Sequence, residues 1–219
     1  MTSIQHSPCS VQGSVWAIVP VKRLHDSKRR LAHLLSAAER ADLIDRFLGH
    51  TLTVLNQSAG IDHVLVISGD ERALATTRFH GAEALLETAV TGLNPAVSQA
   101  VKYAKDEGAT AVLILPADLP FIQTEDVAIM VGSKTNRSGM VICSDDKNNG
   151  TNALLISPPD NFTFHYGLDS FQCHLQEAAQ RGLITRTVRV PGLKFDLDTE
   201  EDWRKYQLIT NNEQLIINY

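Results

Sequence analysis

The chain has 219 residues, and its sequence predicts an α/β fold: a mostly parallel sheet with helices on both faces. Three observations carry this reading. Short apolar runs at 15–21, 63–68 and 110–115 are bounded by turn residues or prolines, the pattern of buried parallel strands. Segments with apolar residues every three or four positions lie between them. The alternation is unbroken over 14–208, with no internal repeat and no linker, so that span is read as one domain. Residues 1–13 are polar and expected to be disordered, and 209–219 form a C-terminal tail.

The run 15–21 is the first strand. Ser36 and Glu39 have capping-box spacing and open a helix on which Leu43, Ile44, Phe47, Leu48, Val54 and Leu55 share a face. A strand at 63–68, a helix at 70–79 and a short strand at 82–86 come next. Asn94 followed by Pro95 reads as an N-cap with Pro at the first helical position, and that helix is expected to stop at Gly108. After the strand 110–115, Thr124 with Glu125 and Asp126 reads as another helix start. Strands are expected at 139–143, 151–157 and 185–190. A helix at 170–181 ends at Gly182, and Thr199 with Asp202 caps a last one.

Composition excludes several classes. The apolar runs fall far below the roughly 18 residues of a membrane span. The first residues lack the basic and apolar regions of a signal peptide. Three cysteines without close spacing argue against a disulfide framework or a zinc site, and fit a reducing cytoplasm. The net charge is −5, so nothing in bulk favours nucleic acid or an anionic membrane. Polyanions, if bound, are held by local sites.

In such sheets ligands sit beyond the carboxyl ends of strands, so the residues just after Val21, Leu86, Leu115 and Ser157 are the first candidates for a site. After the first strand come Lys22, Arg23, Lys28, Arg29 and Arg30, either a triphosphate-wrapping loop or a solvated basic one. After the run 110–115 comes Pro116-Ala117-Asp118-Leu119-Pro120, an Asp held rigidly at the ligand edge for a hard cation, or a turn cap. In Phe195-Asp196-Leu197-Asp198 the alternation sets two carboxylates on one face, a pair that needs a cation between them unless it caps the last helix. Asp118, Asp196 and Asp198 are therefore a candidate Mg²⁺ site. Gly150-Thr151-Asn152 suits phosphate or carboxylate, while Asn149-Gly150 is also a hairpin signal. Gly167 and Ser170, at a helix start, suit an anion as well. His174, one turn later, reads as a packed or exposed residue rather than a catalyst. No catalytic triad, P-loop or GxGxxG is present.

Taken in order, Pro20-Val21-Lys22 with Lys28, Gly92-Leu93-Asn94-Pro95-Ala96, the Asp118 segment, Gly150-Thr151-Asn152-Ala153-Leu154, Tyr166-Gly167-Leu168-Asp169-Ser170-Phe171 and Phe195-Asp196-Leu197-Asp198-Thr199 resemble one family. It is the 2-phospho-L-lactate / phosphoenolpyruvate / 3-phosphoglycerate guanylyltransferases of deazaflavin coenzyme biosynthesis. The resemblance implies a Rossmann-like, nucleotide-diphospho-sugar-transferase-like fold, with GTP as co-substrate and Mg²⁺ as cofactor. It implies that Pro20, Lys22, Lys28, Leu93 and Asn94 bind the nucleotide, and that Lys22, Lys28 and Asp118 act on the transferred phosphate. It further implies that Asp118, Asp196 and Asp198 hold the metal, and that Thr151, Asn152, Gly167 and Ser170 contact the phospho-acid. Guanine selection is expected from backbone around 89–93. One departure is visible: members of the family carry an acid immediately before Gly-Thr-Asn, where this chain has Lys147-Asn148-Asn149. The alternatives are a nucleotidyltransferase with another NTP or a sugar-phosphate acceptor, and an inactive nucleotide-binding homologue. The expected partners are small molecules, with a homodimer as a further option; the apolar tail is suited to pack on a partner subunit or back on its own domain.

Overall fold

The structure is a computed structural model that describes residues 13–88 and 92–217, with side chains to residue 211. The expected disorder of the N-terminus therefore falls, except for Gly13, outside the described residues. In chain order the strands are β1 Ser14–Val21, β2 His63–Ser68, β3 Glu83–Leu86, β4 Ala109–Ile114, β5 Gly139–Ser144, β6 Thr151–Ser157 and β7 Ile184–Thr187. The helices are α1 Ala37–Gln57, α2 Glu71–Phe79, α3 Leu93–Asp106, α4 Thr124–Gly132, α5 Ser170–Gln180, α6 Pro191–Lys194 and α7 Glu200–Ile217.

The strands form one sheet in the order β3-β2-β1-β4-β6-β5-β7. Every neighbouring pair is parallel except the two that involve β6, which runs antiparallel to β4 and β5. Strand residues alternate between two cores, as the two-residue period requires. Ala17, Val19, Val21, Leu113 and Leu155 face α1, α4 and α6. Trp16, Ile18, Val112, Ile114 and Leu154 face α3 and α5. Trp203 and Tyr206 of α7 pack on the first core, Tyr206 edge-on to Phe47 at 5.4 Å.

Local signals account for most element starts. Ser36 accepts from the Glu39 N–H while the Glu39 carboxylate accepts from the Ser36 N–H. Asp70 Oδ1 accepts from the N–H groups of Arg72 and Ala73 at the start of α2. Thr199 and Asp202 cap α7 reciprocally, and that helix continues through most of the expected tail.

Three expectations need correction. The residue before α3 is Gly92, not Asn94; Asn94 lies inside the helix and its carboxamide is used elsewhere. Thr124 is the first residue of α4 after Gln123, whose N–H donates to Asp126. The strand expected at 185–190 stops at Thr187, because Pro191 opens α6. Glycine is required within α6: a Cβ on Gly192 would lie 2.0 Å from the Asp126 carboxylate and 2.7 Å from the Phe121 carbonyl oxygen.

Candidate active site

The carboxyl ends of β1 and β4 and the amino end of β6 meet at one edge of the sheet, since β6 is antiparallel to β4. The expectation that Ser157 marks a ligand edge is therefore wrong: Ser157 sits at the opposite edge, donating to the Thr110 carbonyl. Thr151 takes its place at the site. A cavity of about 490 Å³ opens at this edge, a size suited to a small ligand. Every site residue predicted from sequence lines it except Asn94.

Residues 22–30 form the floor. The N–H of Leu24 donates to Asp70 Oδ2 at 2.9 Å, and Arg40 donates to the carbonyls of Ser27 and Leu35. Lys22, Arg29 and Arg30 are exposed, and Arg29 pairs with Asp26. Lys28 differs. Its backbone is left-handed, φ 52°, a conformation that costs a non-glycine residue free energy. This turns the side chain inward, where it is only 4% exposed. Its ammonium pairs with Asp118 and donates to Asp198 at 2.6 Å. Burial alone would lower the Lys28 pKa, but the two carboxylates outweigh it and raise it. Lys28 therefore stays charged and joins Asp118 to Asp198 across the site.

Three carboxylates thus gather around one ammonium. Burial, with the neighbouring charges of Asp118 and Asp198, pushes Asp196 up to about 6. Burial would raise Asp198 too, but Lys28 outweighs it and holds that group low. Among the described residues, no three His, Cys, Asp or Glu side chains form a group able to hold a metal ion by themselves. Mg²⁺ does not need one: it binds one or two carboxylates and completes its shell with water and substrate phosphates. The hard oxygen donors and the excess negative charge at Asp196 fit that ion.

On the far wall, Ser170 Oγ accepts from the Thr151 N–H at 2.9 Å. Thr151 Oγ1 lies 3.0 Å from His174 Nδ1. Gly167 has φ 134°, a value that side chains rarely adopt, and with the left-handed Asp169 it turns the chain into α5. His174 is fully buried, and burial with the nearby His165 holds it down at about 4, against the opposing Glu177.

Two of the residues predicted as contacts also serve as struts. Asn94 Nδ2 donates to the Tyr166 carbonyl, and the Tyr166 N–H donates to Asn94 Oδ1 at 2.7 Å. Its carboxamide thus ties α3 to the 164–170 segment and does not face the cavity. Asn152 lines the cavity but also donates to the carbonyls of Leu193 and Lys194, which fixes the segment leading to Asp196. The backbone expected to select guanine falls at 89–91 on residues outside those described. The acid missing before Gly150 has a counterpart. Asp145 Oδ1 accepts from the Asn149 N–H, and the Asp145 N–H donates to the Gly150 carbonyl. The loop between β5 and β6 folds back, so an acid five residues earlier lies beside Gly150. Sequence reasoning did not single out Arg40; a charged residue in the first turns of an amphipathic helix reads as solvated.

A family model described as "Guanylyl transferase CofC like" matches residues 15–215. The phosphoenolpyruvate guanylyltransferase of Rubrobacter xylanophilus is 42% identical over 86% of this chain and 91% of its own. A 3-phospho-D-glycerate guanylyltransferase of Colwellia psychrerythraea is 28% identical over 89% of this chain and 91% of its own. Among solved structures, a Desulfovibrio desulfuricans protein provisionally described as a nucleotide-diphospho-sugar transferase superposes with a TM-score of 0.70. It is 16% identical and covers 94% of this chain and 98% of its own, a likeness of fold.

Proposed function

The chain belongs to the CofC-like guanylyl transferase family, and from that premise we propose that it condenses GTP with a small phosphorylated acid, phosphoenolpyruvate foremost. The enzyme is a nucleotidyltransferase. The observation that carries the reading is one cavity lined together by Lys22, Lys28, Asp118, Thr151, Ser170 and Asp196. Relatives named phosphoenolpyruvate guanylyltransferase at up to 42% identity support that acid over 3-phosphoglycerate.

A phosphate oxygen of the acid attacks the α-phosphorus of GTP. The new P–O bond forms as the bond to the β-phosphate oxygen breaks, and pyrophosphate leaves with the electron pair. The nucleophile is largely ionised at neutral pH, since a phosphate has its second pKa near about 6. No general base is needed, consistent with a site that offers cations and hydroxyls. Alignment of two mutually repelling anions is what the protein has to provide. Lys22 and the residues around it suit the triphosphate, Thr151, Gly167 and Ser170 the acid. A magnesium ion held by one or two of Asp118, Asp196 and Asp198, with water and substrate phosphates completing its shell, would neutralise charge on the phosphate oxygens. The product, a guanosine diphospho-acid, serves deazaflavin coenzyme assembly in this reading, in the cytoplasm. No helix among the described residues is long and apolar enough to cross a membrane.

The test is pyrophosphate release with each of four NTPs crossed against phosphoenolpyruvate, 3-phosphoglycerate and 2-phospholactate. GTP with phosphoenolpyruvate is expected to be fastest. A preference for another NTP or for a sugar phosphate, or no turnover with any pair, would refute the reading. In the same assay Ser170→Ala is expected to raise KM for the acid about tenfold while KM for GTP stays within about twofold, because a buried Thr151 N–H loses its acceptor. Equal effects on both substrates would move Ser170 out of the acid's subsite.

A further inference from the structure

Hydrogen bonds around the buried His174 give a chain of polar groups a direction. The backbone N–H of His165 donates to His174 Nε2 at 2.9 Å. A backbone N–H cannot accept, so Nε2 presents a lone pair and the neutral ring carries its proton on Nδ1. That N–H donates to Thr151 Oγ1 at 3.0 Å. Ser170 Oγ already accepts from the Thr151 N–H, and its hydroxyl donates to Thr151 Oγ1 at 3.3 Å. Two donors fill the lone pairs of Thr151 Oγ1. Its own proton must point elsewhere, and Thr151 lines the cavity.

We infer that His174 is a positioning residue that makes the Thr151 hydroxyl an obligate donor toward the acceptor substrate. The site then selects an anionic oxygen of the phospho-acid and rejects a ligand that presents an O–H or N–H at that point. The titratable groups facing the ring are His165 and Glu177; Glu177 is engaged by Arg181 and by the Thr163 N–H. The low pKa of His174 keeps the ring neutral across the physiological range. The inference rests on the reading of Thr151 and Ser170 as the acid's subsite.

The experiment has two arms. Nitrogen-15 NMR of the wild-type protein at pH 7 is expected to show His174 protonated at Nδ1 and bare at Nε2; the opposite tautomer overturns the inference, whatever any variant does. In steady state, His174→Phe is expected to raise KM for phosphoenolpyruvate about tenfold and leave KM for GTP within about twofold, the scale of one hydrogen bond to a charged group. His174→Asn, whose amide N–H can take the place of Nδ1, should restore most of the loss. In a Thr151→Val background His174→Phe should add nothing. Additive effects there would show that His174 does not act through Thr151. A Thr151→Val enzyme with unchanged KM for phosphoenolpyruvate would remove the subsite reading itself, and the inference with it.

Discussion

Replacing Asp118 with asparagine is expected to lower kcat about 1000-fold with little change in the KM for GTP. The substitution is nearly isosteric and keeps one oxygen near Lys28, so the fold should persist. What it removes is a full negative charge at the end of β4, one of the three carboxylates gathered at the cavity edge. If that charge holds a cation on the reacting phosphates, its loss falls on the transition state, where charge on the leaving pyrophosphate develops. Such an effect appears in kcat and kcat/KM alike. Single-turnover pyrophosphate release across a Mg²⁺ titration is the measurement. Near-normal release at any Mg²⁺ concentration would show that Asp118 is only a turn residue between two prolines.

The second large effect is expected from Lys28→Met. Methionine fills a similar volume but brings no charge, leaving three carboxylates without their shared counter-ion. Activity should fall about 100-fold. The metal-free protein should lose about 2 kcal/mol at pH 8, less than a fully buried pair would give, because Asp198 is about half exposed. The pH dependence has a definite sign. Asp196 is already raised to about 6 with Lys28 present, and removing the ammonium raises it further and releases Asp198 from its lowered value. A folded state that holds protons more tightly than the unfolded chain loses stability as pH rises through the unfolded value near 4 and on past 6. The variant should therefore lie closer to wild type at pH 5 than at pH 8, measured by urea denaturation with chelator present. An equal deficit at both pH values would mean that Lys28 contributes packing and no charge neutralisation.

Particular residues show where sequence reading succeeds and where it stops. The capping signals at Ser36 and at Thr199 with Asp202 lie within four residues of one another, so local chemistry decides them. The run at the end of β4 placed Asp118 correctly for the same reason: a buried strand followed by proline has one ligand edge. Asn94 shows the limit. It has the sequence of a cap, yet its carboxamide meets the backbone of Tyr166, 72 residues away. Asp145 likewise reaches Gly150 only because the β5–β6 loop turns back.

The sequence by itself determined the α/β class, the two-sided burial of the strands, and the segments that carry cations, carboxylates and hydroxyls. Those properties arise from side-chain period and from short-range backbone chemistry. Only the tertiary structure decided that β6 runs antiparallel, which carries Thr151 rather than Ser157 to the site. It also decided that Lys28 lies between Asp118 and Asp198, partners 90 and 170 residues distant. Strand direction and charge pairing are set by which surfaces bury together, and no local pattern records that choice.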